Sequence, residues 1–176
     1  MDTPTDFTPR IHPMGDDEPP LPGPREGWIP LTKHGDCFVC QEENSGGLRA
    51  DLYLDGNVVR CLFTFRRAQH GPPGHAHGGS IAALLDELMG AASWLRRSNA
   101  VAAHLDFDYR RPTPLDVEVL ASAWACSDGN RSLKVASEVR LPDGSLAAQG
   151  SGVFVVAPAI FDQVRSAWEP QEESSG

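Results

Sequence analysis

The sequence predicts one α+β domain in which a single antiparallel sheet curls around one helix. Three observations carry that reading. Two β-rich runs flank Asp55-Gly56-Asn57, one stretch of helical periodicity follows, and four more β-rich runs complete the chain with turn chemistry between them. At 176 residues and 19.0 kDa there is room for one ordinary domain with tails, not for two.

Residues 1–30 hold eight of the fifteen prolines and six acidic residues, with few large apolar ones. Such a composition buries too little surface to offset ordering entropy, so a disordered Pro-rich acidic tail is expected. Residues 31–48 read as an N-terminal extension carrying Cys37-Phe38-Val39-Cys40. The domain proper is expected over 49–158, with a fraying tail over 159–176. Arg49–Leu54 and Val58–Phe65 read as a hairpin, because Asp-Gly supplies the backbone angles of a tight turn. Residues 66–79, rich in Pro and Gly, read as a loop. From Ser80 to Leu95 the apolar residues Ile81, Leu84, Leu85, Leu88, Ala92 and Leu95 fall at helical spacing. Ala82, Ala83, Gly90, Ala91 and Ser93 on its other positions let neighbours approach closely, as in a central, wrapped helix. Strands follow at Val101–Tyr109, Val117–Cys126, Leu133–Leu141 and Leu146–Val156. The alternation in His104–Tyr109 marks a sheet with one wet face.

Fifteen Lys and Arg against 24 Asp and Glu leave a net charge of −9, which argues against nucleic acid or an anionic membrane as partner. No apolar run reaches the ~20 residues that span a bilayer, and the N-terminus lacks the features of a signal peptide, so a cytoplasmic protein is expected. In that compartment the cysteines Cys37, Cys40, Cys61 and Cys126 stay reduced. Cys37 and Cys40 alone have metal-like spacing. With no second such pair to complete four ligands, the reading is two small residues packing the extension.

The chemistry gathers at the helix start. In His77-Gly78-Gly79-Ser80 the first backbone N–H groups of the helix are unpaired donors, and the glycines leave room for a ligand carbonyl, so an oxyanion hole fits there. The same residues also suit a plain helix entry capped by His77 or Ser80. Asp86 shifts the balance, because a carboxylate on a stripe of small apolar residues is costly unless paired or used. Seven residues at 1.5 Å each place it roughly 10 Å along the axis from Gly79, too far for both to act on one carbonyl. If both are catalytic, the site must be shared, with one subunit's helix start facing another's Asp86. Glu87 reads as a solvent or salt-bridge residue.

The string Gly74-His75-Ala76-His77-Gly78-Gly79-Ser80 through Asp86-Glu87 resembles the HGG-x(6)-D/E signature of the hotdog-fold thioesterases, in their PaaI-like branch. Residues 105–115 and 143–150 are similar to the family's strand and turn after the helix and to its last hairpin, and residues 37–48 to an N-terminal extension of many members. The resemblance implies a hotdog fold, assembly as a dimer or dimer of dimers, and hydrolysis of an acyl-coenzyme A thioester with no cofactor and no metal. It assigns Gly79, with Gly78 beside it, to the carbonyl. Asp86 of the partner becomes general base or nucleophile, and His77 a positioning residue.

Where many members carry Thr or Ser after the helix, this chain has Ala102. His104, two residues on and expected on the same side, is either a substitute polar partner or a solvent-facing residue. Ser80, Arg110 and Arg111 are candidate substrate contacts, the arginines toward phosphates together with Arg131 and Lys134. His70, His75 and His77 read as loop histidines rather than metal ligands. Two other functions remain open. A non-catalytic acyl-ligand binding module is motivated by Ala102, and a hotdog dehydratase would use an Asp and His pair.

Overall fold

The computed structural model of the chain describes residues 27–33 and 35–160. The elements are β1 (Ile29–Pro30), β2 (Tyr53–Asp55), β3 (Val58–Thr64), α1 (Gly78–Trp94), β4 (Ala100–Tyr109), β5 (Glu118–Asp128), β6 (Ser132–Arg140) and β7 (Leu146–Val156), with a short 3-10 turn at Arg67–Gln69. The strands form one antiparallel sheet in the order β1-β2-β3-β5-β6-β7-β4. The predicted α+β class and wrapped helix hold: α1 touches β3, β4, β5, β6 and β7. Leu84, Leu85, Leu88 and Met89 of α1 are fully buried. Each apolar side chain so removed from water contributes about 1.5–3 kcal/mol before entropy is counted. No helix among the described residues is long and apolar enough to cross a membrane.

The tight turn forms where Asp-Gly predicts it, with Gly56 at φ 59°. Its first strand is shorter than expected. Arg49 takes the left-handed conformation at φ 60°. The residues after it bond elsewhere: Ala50 N–H donates to the Val39 carbonyl at 2.8 Å, and the Leu52 carbonyl accepts from Leu31 N–H at 2.9 Å. The extension is thereby sewn to the sheet, and Val39, Cys40 and Leu48 join the main core. The same pairing moves the end of the expected disordered tail, residues 28–30, into the domain. Ile29 pairs with Leu54 and Pro30 with Tyr53, while Trp28 is buried against Leu120 and packs near Tyr53. Residues 1–26 of that tail and 161–176 of the C-terminal one lie outside the described residues.

The later strands match expectation within a residue or two. Their registers shift between Ala125 and Ser127, between Val139 and Arg140, and between Ala102 and His104, where a bulge leaves Ala103 without a partner on β7. Ala102 pairs with Phe154 and His104 with Val153. Adjacent residues of β7 point to opposite faces, so the bulge puts Ala102 and His104 on opposite faces too. The expectation that they face the same side is wrong: Ala102 looks toward α1 with buried Phe154, and His104 lies on the outer face with Asp106 and Asp108.

Candidate active site

The segment before the helix is irregular in sequence but firmly tied. Ala76 N–H donates to the Thr113 carbonyl at 2.9 Å, His77 N–H to Gln69 at 2.7 Å, and Leu115 N–H to Gly74 at 3.0 Å. Bridges between His70 and Ala76 and between His75 and Pro114 complete the clamp. The helix begins at Gly78, two residues before the predicted start, so both glycines lie in its first turn.

His77 is the N-cap. Its backbone is extended, and its ring Nδ1 accepts the Gly79 N–H at 2.9 Å, which places the ring proton on Nε2. Ser80 sits inside the first turn, its N–H donating to the His77 carbonyl at 2.9 Å, and is not the cap. Of the two glycine donors singled out in the sequence, Gly79 is therefore engaged by its own cap, while the Gly78 N–H has no partner among the described residues. The opposite side of Gly78 is held by Tyr109, whose hydroxyl donates to the Gly78 carbonyl at 2.8 Å. A Cβ at Gly78 would come within 3.3 Å of the Tyr109 ring, so the glycine permits this close approach. Burial holds the Tyr109 hydroxyl above its ordinary pKa.

Asp86 is half-buried on the middle of α1 and lines a cavity of about 530 Å³ with Leu31, Glu87, Ala102 and Phe154. Burial, and then the neighbouring Glu87 carboxylate, raise its pKa above the ordinary carboxylate value. His77, Gly78, Gly79 and Ser80 do not line this cavity. One chain thus keeps the helix start and the carboxylate apart, as their spacing along the axis predicts.

Glu87 departs from expectation. It lines the same cavity as Asp86, makes no ion pair among the described residues, and faces the extension, where Cys37 Sγ approaches its Oε1 at 3.4 Å. Two signals were out of reach in the sequence: that contact spans fifty positions, and Tyr109 meets Gly78 across thirty-one.

The candidate phosphate contacts are not gathered. Arg110, exposed, pairs with Asp108 at 2.9 Å, and Arg111 beside it is exposed as well. Both follow Tyr109 at the helix-start end of β4. Arg131 lies at the other end of the sheet, its carbonyl accepting from Val156 N–H, and Lys134 pairs with Val153 in mid-sheet. The His75 ring bonds the Pro73 carbonyl at 2.8 Å, and His70 caps the 3-10 turn.

The family model described as the Thioesterase superfamily matches residues 73–148. A curated relative, acyl-coenzyme A thioesterase THEM4 of Xenopus laevis, is 30% identical over 96 residues, covering 54% of this chain and 43% of the relative. This chain therefore spans less than half the length of that protein. A crystal structure of a thioesterase superfamily protein aligns with TM-score 0.61 at 33% identity, covering 64% of this chain and 56% of that one. The phenylacetic acid degradation protein PaaI of Thermus thermophilus aligns with TM-score 0.58 at 28% identity, covering 62% of this chain and 95% of that one. Residues 73–148, which hold the capped helix start, Asp86 and Tyr109, thus match the thioesterase superfamily, and the domain that carries them has the hotdog fold of the PaaI proteins.

Proposed function

We propose that the chain hydrolyses the thioester of an acyl-coenzyme A to the free acid and coenzyme A, in a site shared by two copies. The observation that carries this reading is Asp86, a half-buried carboxylate on the wall of an otherwise largely apolar cavity that excludes the helix start. The name acyl-coenzyme A thioesterase borne by the relative supports the substrate class.

The strand between the two features supports a shared site. β4 is an edge strand bonded only to β7. Its Ala102 end borders the Asp86 cavity and its Tyr109 end holds Gly78. Antiparallel pairing of two β4 edges about a two-fold axis sets one copy's Ala102 end beside the other's Tyr109 end, and so Asp86 beside the partner's helix start. There the Gly78 N–H, joined by Gly79 when the His77 ring yields, stabilises the oxyanion as the carbonyl carbon is attacked. As a base, Asp86 takes a proton from the attacking water and returns it to the sulfur as the carbon–sulfur bond breaks, releasing the acid and the thiol. As a nucleophile, it displaces coenzyme A to form an acyl-aspartyl anhydride, which water then cleaves to the acid and the free Asp86 carboxylate, the water's proton ending on the coenzyme A sulfur. His77 positions the loop, and Ser80, Arg110 and Arg111 remain candidate substrate contacts at the helix-start end.

A second reading, an acyl-ligand binding module, rests on Ala102: it lines the Asp86 cavity with no hydroxyl, and the bulge turns His104 away. Thiol release over short, medium, long and aryl acyl-coenzyme A substrates separates the two. Turnover supports the enzyme, whereas saturable binding without turnover supports the module. The shared site is tested by mixing Asp86→Asn with Gly78→Val, each inactive alone. Random exchange of subunits gives half mixed dimers with one intact site in two, so about a quarter of wild-type activity returns. No recovery on verified exchange overturns the shared site.

A further inference from the structure

We propose that Cys37, Cys40 and Glu87 form a binding site for a soft divalent cation of the zinc class, on the wall of the cavity that holds Asp86. The ligand atoms of these three residues lie within 4.8 Å of one another. A tetrahedral zinc ion with Zn–S near 2.3 Å and Zn–O near 2.1 Å holds its ligand atoms roughly 3.4–3.8 Å apart. Cys37 Sγ and Glu87 Oε1 are at that separation already, at 3.4 Å. The remaining closure is at most about an ångström, within reach of side-chain rotation.

The local chain suits the ligand role. The N–H groups of Val39 and Cys40 donate to Cys37 Sγ at 3.3 and 3.4 Å. Such donors strengthen when the sulfur carries the charge of a metal-bound thiolate. The spacing of two residues between the cysteines is the shortest in common use at zinc sites. What the sequence lacked was a further ligand, and the fold brings it from mid-helix.

Charge argues the same way. Asp86 and Glu87 are adjacent carboxylates on one cavity wall, and Glu87 has no ion pair among the described residues. Lys33, the one basic side chain among the described residues that line the cavity, is held by Asp51 at 2.8 Å. A divalent cation among the two sulfurs and Glu87 supplies the missing positive charge. Two sulfurs with one carboxylate favour zinc over magnesium or calcium, which want oxygen alone. Three protein ligands leave a fourth position for water toward the cavity. Whatever the reaction, the ion ties the extension to the middle of α1, so the proposal stands apart from the thioesterase reading.

The test is a titration of the reduced, metal-stripped full chain with cobalt(II) chloride under argon, in a Cys126→Ser background. The expected result is a sulfur-to-cobalt charge-transfer band that saturates at one equivalent and is displaced by one equivalent of zinc chloride. Cys37→Ser and Cys40→Ser should each diminish it. Glu87→Gln, nearly isosteric and therefore the variant least able to disturb folding, should keep the band and weaken binding at least about tenfold. No band at saturating cobalt overturns the site, as does a band indifferent to Cys37→Ser and Cys40→Ser, or a Glu87→Gln titration that overlays the parent.

Discussion

Replacing Asp86 by Asn exchanges a carboxylate for a carboxamide of nearly the same volume, so packing is preserved and the effect is one of charge. In the proposed reaction the variant loses its base or nucleophile, and kcat should fall by about 10²–10⁴-fold. Stability should move the other way. Burial and the charge of Glu87 lift the Asp86 pKa in the folded chain. A carboxyl whose pKa is higher folded than unfolded binds protons more readily in the native state. It favours the fold below its unfolded pKa and loses that advantage as pH rises through the folded value. Above the folded value the penalty is present, and Asn removes it. Solvent reaches the half-buried group and screens it, so the gain is on the order of 1 kcal/mol, or roughly 2–4 °C in midpoint. The assay is paired thermal denaturation and thiol release at pH 7, with EDTA present so that no cation sits beside Glu87. The denaturation is repeated at pH 3.5, where the stability difference should shrink. A variant that keeps its activity refutes the catalytic role. A variant less stable than wild type at pH 7 refutes the electrostatic account and implies a stabilising partner for the carboxylate.

Tyr109→Phe removes the hydroxyl that bonds the Gly78 carbonyl. It should cost about 0.5–1.5 kcal/mol, read as a fall of a few degrees in midpoint, and should lower kcat more than it changes KM because the helix start is less firmly placed. An unchanged midpoint would show that the bond is absent in solution. Cys61 is fully buried and its thiol is pushed up from 9.0 to about 12, chiefly by burial. In the native chain it should stay unmodified by iodoacetamide at pH 8 while alkylating fully in denaturant, as peptide mass spectrometry will read. Native alkylation at the denatured rate would contradict the packing of β3.

The fold was legible because its signals are local. Helical spacing from Ile81 onward, Asp-Gly at the hairpin and turn chemistry between the later strands each act within a few residues, and the elements stand within a few positions of where those signals put them. The errors come from contacts between distant segments. Trp28 reads as part of a Pro-rich tail until Leu120 and Tyr53 are there to cover it. Arg49–Leu52 reads as strand, yet its backbone bonds the extension instead of lengthening the hairpin. The site divides along the same line. His77 as cap and Asp86 on an apolar stripe follow from position in one helix, whereas the contacts of Tyr109 and Glu87 depend on how far-apart segments meet.

The bulge at Ala103 has the largest consequence for chemistry. Strict alternation would have carried His104 to the face of Ala102 and given Asp86 an imidazole neighbour from β4. One inserted residue turns it outward, and the part of β4 that lines the cavity is only Ala100, Val101 and Ala102. The polar side chains that share the cavity with Asp86 come from elsewhere: Thr32, Lys33, Cys37 and Cys40 from the extension, and Glu87 from the helix. Thr32 is the one hydroxyl among them. Within a single chain, then, the extension takes over the wall that β4 leaves apolar. Residues 31–40, which look like a dispensable lead-in to the domain, are where this chain's chemistry differs from a bare helix and sheet.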